Sequence, residues 1–221
     1  LDATVTSFRY DGIDARPQVF QLVVDGGAPI DAVADRPGYF VLDRRDPTNV
    51  RFEGGGVSSV RFAGLGPRGA TRHLALWLPH ASTIRMSALR VDDGASVRPA
   101  PRPEGRTWIH YGSSISHCVE ADVPTGVWPA VAARAGGVSL HSFGFAGQCM
   151  LDQFVARSIG EMPADVISLK LGINIVNGDT MRERTFVPAV HGFLDTLRER
   201  RPDTPILIVS PIFCPSAEDA P

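Results

Sequence analysis

The hydrophobic pattern of this chain changes its period near residue 100, and this change constrains the fold more than any other feature. Residues 1–97 contain seven or eight short alternating apolar segments, separated by glycine, proline and aspartate. Alternation over a few residues with frequent turn signals is typical of antiparallel strands. We therefore expect an antiparallel β-sandwich domain, jelly-roll-like in topology, over residues 1–97.

The second half of the chain has a different pattern. Four short apolar runs alternate there with segments of helical period, which predicts βαβ units and a parallel sheet. The runs are Thr107–Tyr111, Val138–Phe143, Val166–Leu171 and Ile206–Ile212. Between the two halves lies the string RPAPRPEGR, whose proline content predicts a linker over residues 98–106. The remaining residues, 107–221, are expected to form an α/β domain.

Three helices are predicted in this second half. The first begins near Thr125, which can cap it, and ends at Gly136-Gly137. Its expected buried residues are Trp128, Val131, Ala132 and Ala135. The second helix is expected to carry Leu151, Phe154, Val155 and Ile159. The third has Pro188 in its first turn, where the missing N–H is harmless. Its expected apolar face is Phe186, Val187, Val190, Phe193, Leu194 and Leu197.

Composition and charge exclude several classes of protein. The 22 basic and 24 acidic residues nearly balance, which argues against nucleic acid or an anionic membrane as a partner. No apolar run approaches the roughly 18–20 residues of a membrane helix. The three cysteines lack metal-ligand spacing and predict free thiols in a reducing compartment. We expect a cytoplasmic protein without a metal site. Secretion stays open because the chain begins at Leu1, and no oligomeric state is indicated.

Small hydroxyl, glycine and amide residues follow the first three strands of the predicted parallel sheet. Ser114 lies in a serine cluster after the first strand, Gly147 follows the second, and Asn174 follows the third. The carboxyl ends of parallel strands meet at one edge of a sheet, where ligands bind. Together these residues supply a hydroxyl nucleophile, an exposed backbone N–H and a side-chain amide donor. Acyl transfer requires these groups, because an oxyanion forms when the nucleophile attacks a carbonyl.

The strings YGSSIS, GFAGQC and LGIN resemble the first three conserved blocks of the SGNH (GDSL-type) hydrolases, in the same order and at suitable spacing. The resemblance covers Thr107 to about Pro215, and the β-rich first half suits the branch of the family with an N-terminal sandwich domain. It implies a flavodoxin-like, three-layer α/β/α domain. It also implies that Ser114 is the nucleophile, and that the oxyanion hole consists of the Ser114 N–H, the Gly147 N–H and the Asn174 side chain.

The sequence departs from the family pattern in two ways. Ser113 and Ile175 occupy positions where the family usually or often has aspartate. The family also takes its general base from an Asp-x-x-His near the carboxyl end, and no such motif occurs in these residues. We therefore expect the chain to be truncated and the base to lie beyond residue 221. His117, three residues after Ser114, is the less favoured alternative, because a histidine at a strand-to-helix turn more often caps or packs.

The resemblance implies a serine esterase or acylhydrolase that acts on small or carbohydrate-linked acyl esters and needs no cofactor. The first alternative is an acyltransferase that moves an acyl group from acyl-CoA, as a co-substrate, to a hydroxyl of a polyketide or other natural product. A second is a flavodoxin-like protein whose serines cradle a phosphate or flavin. This alternative assigns no role to Asn174. A third is that the first half of the chain is a glycan-binding module. Its aromatic residues lie at alternating positions, which is more typical of core residues than of a sugar-binding surface.

Overall fold

The computed structural model of the protein describes residues 1–46, 48–67, 69–101 and 105–215. These residues form two compact units. Unit 1 contains residues 1–101 and 120–126, and unit 2 contains residues 105–119 and 127–215. The sequence did not indicate that the short segment Glu120–Gly126 groups with unit 1. Of the predicted linker, residues 98–101 lie in neither a helix nor a strand, and residues 102–104 lie outside the described residues.

The described residues of unit 1 form eight strands in two sheets. The strands are β1 (Asp2–Tyr10), β2 (Val19–Val24), β3 (Ile30–Val33), β4 (Gly38–Leu42), β5 (Val50–Glu53), β6 (Val57–Ser59), β7 (Leu74–Trp77) and β8 (Thr83–Ala88). One sheet has the order β5-β4-β1-β6, with β8 also paired to β1, and the other has the order β3-β2-β7. A 3₁₀ turn, Pro124–Gly126, also belongs to this unit, where the Thr125 N–H donates to Gln21 Oε1 at 3.0 Å.

One strand pair differs from the antiparallel expectation. β1 and β4 pair in parallel, with Thr6 opposite Gly38 and Phe8 opposite Phe40. The chain between these two strands first forms β2 and β3 in the other sheet, so β4 returns in the direction of β1. The other pairings of unit 1 among the described residues are antiparallel, as expected. The period-2 pattern indicates that a segment is a strand, but it carries no information on strand direction.

The core of unit 1 combines side chains from both sheets. Its buried residues are Ala3, Val5, Phe20, Ala34 and Val60. Along β1 the inward residues alternate with outward ones, which is the pattern expected of a half-buried strand. Three phenylalanines lie outside this core, although we expected the alternating aromatics to fill it. Phe8, Phe40 and Phe52 lie opposite one another in the register of the five-stranded sheet, and each is exposed.

Unit 2 contains a parallel sheet with the order β10-β9-β11-β12, as its apolar runs predicted. Its strands are β9 (Thr107–Gly112), β10 (Ser139–Gly144), β11 (Val166–Lys170) and β12 (Ile206–Val209). Its helices are α1 (Ser114–His117), α2 (Trp128–Gly136), α3 (Gln153–Glu161), α4 (Ile173–Gly178) and α5 (Glu183–Arg200). Within the described residues, no helix combines the length and apolar character needed to cross a membrane.

The two faces of this sheet differ in polarity. On one face, β9 and β11 pack against α3 and α5 in an apolar cluster that includes Ile109, Tyr111, Ile167, Leu169, Ile159, Phe193 and Leu197, each fully buried. The ring of Tyr111 stacks on that of Phe193, with centroids 5.3 Å apart. Burial of each large apolar side chain contributes about 1.5–3 kcal/mol. Three alternate residues of the same strands, His110, Ser168 and Lys170, are buried and polar.

The predicted helices differ from the observed ones in their boundaries and buried faces. α2 begins at Trp128 without a side-chain cap, since Thr125 lies in the preceding 3₁₀ turn. The four residues expected to be buried in α2 are exposed, and Pro129, Ala130 and Ala133 are buried instead. α2 packs against β10. In α3, Phe154 is exposed, and Leu151 precedes the helix. Pro188 lies inside α5, because that helix begins earlier than expected.

Candidate active site

The loop after β9 turns into the four-residue helix α1, which carries the candidate nucleophile at its start. Ser113 caps the helix, and its Oγ accepts the Ile115 N–H at 3.3 Å. Ser114 is exposed to solvent, whereas Ser113 and Ser116 are buried. The helix ends at His117, and the capping residue after it, Cys118, adopts the left-handed conformation and donates its N–H to the Ser114 carbonyl at 2.8 Å. Of the three serines, only Ser114 is therefore presented to an incoming substrate.

The loop after β10 lies against the end of β9 and against α1. The Phe145 N–H donates to the Gly112 carbonyl at 2.8 Å. A Cβ on Gly144 would lie 2.6 Å from the His117 backbone nitrogen, so only glycine allows this approach. A turn follows, closed by the Gln148 N–H donating to the Phe145 carbonyl at 3.1 Å.

Gly147 occupies the third position of this turn with a φ of +71°, as a type II turn requires. It is exposed, and its N–H has no acceptor among the residues that the structure describes. This N–H is therefore available to a ligand. The sequence predicted this N–H as a donor to an oxyanion, and that role stays a prediction.

The loop after β11 leads into α4, which carries Asn174. Gly172 precedes the helix with a φ of +103°, and a Cβ there would lie 2.8 Å from the Pro211 side chain. Asn174 is the second residue of α4 and is buried. Its Oδ1 accepts the Cys149 N–H at 3.0 Å. Because a backbone N–H must face the carbonyl oxygen of the amide, this bond leaves the Asn174 amide nitrogen as the available donor.

Hydrogen bonds thus join the loop after β10 to each of the other two regions. The loop after β10 is bonded to the end of β9 through Phe145 and to α4 through Cys149. Each loop contributes one predicted group: the exposed hydroxyl of Ser114, the N–H of Gly147 and the amide of Asn174. A hydroxyl with amide donors at one sheet edge can attack a carbonyl and stabilise the oxyanion that results.

The same geometry weakens the phosphate-cradle alternative. A cradle would need the hydroxyls of the serine cluster to be free for the ligand. Ser113 Oγ instead accepts the Ile115 N–H, and Ser116 Oγ lies 2.7 Å from the Nε2 of His110. His117, the other candidate base, is the half-buried last residue of α1. Within the described ranges, no group of three or more histidine, cysteine, aspartate or glutamate residues could hold a metal ion.

A chain of hydrogen-bonded side chains, three of them buried, lies behind the nucleophile loop, and the sequence did not reveal it. The Trp108 indole Nε1 donates to Ser168 Oγ at 2.7 Å. The same Oγ lies 2.7 Å from His110 Nδ1, and His110 Nε2 lies 2.7 Å from Ser116 Oγ. The available signal was the strand alternation, which places Trp108 and His110 on one face of β9. We call Trp108, His110, Ser116 and Ser168 the polar chain.

Burial controls the protonation of the groups near the site. Desolvation, with a smaller contribution from the charge of Lys170, lowers the pKa of His110 to about 4, so its ring is neutral at pH 7. Burial raises the pKa of Cys149 to about 11, so its thiol stays protonated and is a poor nucleophile. Burial likewise raises the pKa of Tyr111 above its ordinary value. The exposed hydroxyl of Ser114 is therefore a better candidate nucleophile than the thiol of Cys149.

The low pKa of His110 predicts a loss of stability in acid. In the unfolded chain His110 takes up a proton near its ordinary pKa of 6.5, well before the folded protein does so near 4. The stabilisation is therefore complete above about pH 6.5 and is lost as the pH falls toward 4. We expect the wild type to lose roughly 3 kcal/mol more unfolding free energy than His110→Gln from pH 7 to pH 4. Urea unfolding of both proteins measures this difference, and parallel curves would contradict the prediction.

Comparisons with known proteins give one family match and several structural neighbours. Residues 106–215 match the model of the GDSL-like lipase/acylhydrolase family. The salicylyl-acyltransferase SsfX3, from a tetracycline biosynthetic pathway, is 27% identical, with a TM-score of 0.73 over 100% of this chain and 57% of that protein. This chain thus spans little more than half the length of SsfX3. A comparison with curated proteins gives no match.

Two carbohydrate esterases share the fold at lower identity. A family two carbohydrate esterase from Clostridium thermocellum, solved with cellohexaose, is 16% identical, with a TM-score of 0.56 over 98% of this chain and 70% of that one. A family 2 enzyme with a carbohydrate binding domain, from Corynascus thermopiles, is 16% identical, with a TM-score of 0.58 over 98% and 71% of the two chains. Through residues 106–215, with their three joined loops, this chain belongs to the GDSL-like lipase/acylhydrolase family.

Proposed function

We propose that the protein transfers acyl groups through a covalent ester on Ser114. The observation that carries this proposal is the orientation of Asn174. Its Oδ1 is bonded to the Cys149 N–H, so its amide nitrogen is available at the edge of the sheet from which Ser114 and Gly147 also extend. A preorganised donor of this kind contributes to catalysis because it needs no rearrangement when charge develops on the substrate.

In the proposed reaction, Ser114 Oγ forms a bond to the carbonyl carbon of an ester or thioester while a base removes its proton. The carbonyl oxygen becomes an oxyanion and accepts hydrogen bonds from the N–H groups of Ser114 and Gly147 and from the Asn174 amide. Collapse of this intermediate breaks the bond to the leaving alcohol or thiol, which takes up the proton. Water, or an acceptor hydroxyl, then attacks the acyl-enzyme by the same steps, releases the acid or the new ester and regenerates Ser114.

The base is the one group that these 221 residues do not supply in the family's form, since they contain no Asp-x-x-His. We propose that the whole protein provides it in that motif. His117 is the alternative within the chain. The two can be separated by activity, because removing the base of a serine enzyme costs on the order of 10⁶ in turnover. Full activity of residues 1–221 alone would assign the base to this chain.

We propose ester hydrolysis, on small or carbohydrate-linked acyl esters, as the first candidate activity. The shared fold with the two carbohydrate esterases supports it. Acyl transfer to a hydroxyl of a natural product is the second candidate, and SsfX3, similar along the whole of this chain, supports it. In the transferase reaction acyl-CoA is a co-substrate and not a resident cofactor.

The finer description of the fold is also proposed. Because one buried cluster contains residues of both sheets of unit 1, we propose that these sheets pack as a sandwich, jelly-roll-like in topology. For unit 2 we propose a three-layer, flavodoxin-like arrangement. The packing of α3 and α5 on one face of the parallel sheet, and of α1 and α2 against β10 at its edge, supports it.

A competition experiment tests the two candidate activities. The full-length protein is incubated with p-nitrophenyl esters and with acyl-CoAs, each with and without an alcohol acceptor. For an esterase we expect release of free acid at a rate that the alcohol leaves nearly unchanged. For an acyltransferase we expect an acylated alcohol as the main product, with little free acid. No turnover of any donor, by folded protein, would contradict both.

A further inference from the structure

We propose that His110 positions Ser114 for attack, acting through Ser116, and that this is why a buried histidine lies in strand β9. This inference rests on the proposed function, because it assigns Ser114 as the nucleophile. His110 touches neither substrate nor reacting atoms in this scheme. It is a positioning residue.

The argument begins with the length of α1. A helix of four residues has no stability of its own, because forming the first turn costs more than its hydrogen bonds return. The direction in which it presents Ser114 must therefore be set by contacts with the rest of unit 2. Ser114 and Ser116 are two residues apart, which places them on roughly opposite sides of the helix. Their burial agrees, since Ser114 is exposed and Ser116 is 1% exposed.

Ser116 is the side chain that holds the inner side of α1. Its Oγ lies 2.7 Å from His110 Nε2, and a Cβ on Gly112 would lie 2.2 Å from that Oγ. Because Gly112 has no side chain, the Ser116 hydroxyl can lie within hydrogen-bond distance of the His110 ring. A second bond, from the Trp128 Nε1 to the Ile115 carbonyl at 2.7 Å, holds the helix from α2. With both bonds in place, α1 has little freedom to rotate about its axis.

His110 is itself held from two sides. Its Nδ1 lies 2.7 Å from Ser168 Oγ in the neighbouring strand β11, and its ring packs edge-on against Trp128 with centroids 4.9 Å apart. The polar chain therefore connects the central strands of the sheet to the inner side of α1. An apolar residue in place of His110 could fill the volume, but it would leave Ser116 and Ser168 without this partner. The polar chain thus fixes the orientation of α1, and with it that of Ser114, relative to the rigid sheet.

The expected consequence is a loss in turnover and not in binding. A shift of the nucleophile by about 1 Å can cost about 10²-fold in rate. In the full-length protein we expect Ser116→Ala and His110→Leu to lower kcat for a p-nitrophenyl ester by about 10- to 100-fold, with little change in KM. The double variant should be no slower than the slower single variant, because both changes break the same bond. His110→Gln should recover part of the loss, because its amide can reach Ser116.

The control is Thr196→Val, which removes a hydrogen-bonded hydroxyl between α3 and α5 of the same unit. It should lose stability while keeping the wild-type kcat. Each rate is divided by the folded fraction of that protein, which is measured by near-UV circular dichroism. Equal rates for His110→Gln and His110→Leu, or a wild-type kcat for folded Ser116→Ala, would overturn the inference. If Ser114→Ala keeps full activity, the proposed function itself has failed, and the two failures are thereby distinguished.

Discussion

Ser114→Ala is expected to abolish turnover and covalent labelling, with a loss in kcat on the order of 10⁶. The reason is chemical, because alanine offers no oxygen to form the acyl-enzyme. Since Ser114 is exposed at the head of α1, its hydroxyl can be removed without opening a cavity. The measurement is labelling of the full-length protein with a fluorophosphonate probe, followed by mass spectrometry of the modified peptide.

The matched control for Ser114 is Ser158, an exposed serine on α3 whose hydroxyl donates to the Phe154 carbonyl at 2.9 Å. Ser158→Ala should be labelled at the wild-type rate, since an exposed serine without a base and oxyanion donors is not reactive. Labelling of Ser114→Ala at any other serine, with turnover retained, would refute the assignment of the nucleophile. Unlabelled wild-type protein that still hydrolyses esters would refute the covalent mechanism.

Asn174→Asp is expected to lower kcat by at least about 10²–10³-fold, the cost of one lost oxyanion donor. Aspartate keeps an oxygen that can accept the Cys149 N–H, so the loops after β10 and β11 remain joined. The amide nitrogen is replaced by a second oxygen, which cannot donate when ionised and repels the oxyanion. The kinetic measurement is kcat and KM for a p-nitrophenyl ester, with the fold checked by thermal unfolding.

Asn174→Ala separates the two roles of this residue. It removes the donor toward the substrate and also the acceptor of the Cys149 N–H, so it should cost about 1–3 kcal/mol of stability in addition to the loss in rate. We expect both variants to be slow and the alanine variant to be the less stable. An Asn174→Asp protein with wild-type kcat would show that the amide does not face the oxyanion.

The strands and their approximate positions could be predicted from local pattern alone. In β9, β10 and β11, short apolar runs indicated a buried parallel sheet. The residues after these strands indicated Ser114, Gly147 and Asn174 as the candidate site. Such features depend on neighbours in sequence, because alternation and helical period arise from the geometry of a single segment.

Predictions that depended on distant partners were less successful. The prediction of the face that α2 buries was wrong, because the buried residues include the small Ala130 and Ala133, which a count of large apolar residues does not anticipate. The parallel pairing of β1 with β4 follows from the path of the chain through a second sheet. The orientation of the Asn174 amide is set by a backbone N–H 25 residues away along the chain.

The sequence by itself determined that this chain has two differently patterned halves, and that three strand-end loops carry a hydroxyl, a glycine N–H and an amide. Only the tertiary structure decided which serine faces solvent, which atom of Asn174 is free to donate, and that His110 meets Ser116 behind the nucleophile. The physical reason is the directionality of hydrogen bonds. The residue type determines whether a side chain can donate or accept a hydrogen bond. Its partner is determined by the packing of segments that are far apart in the chain.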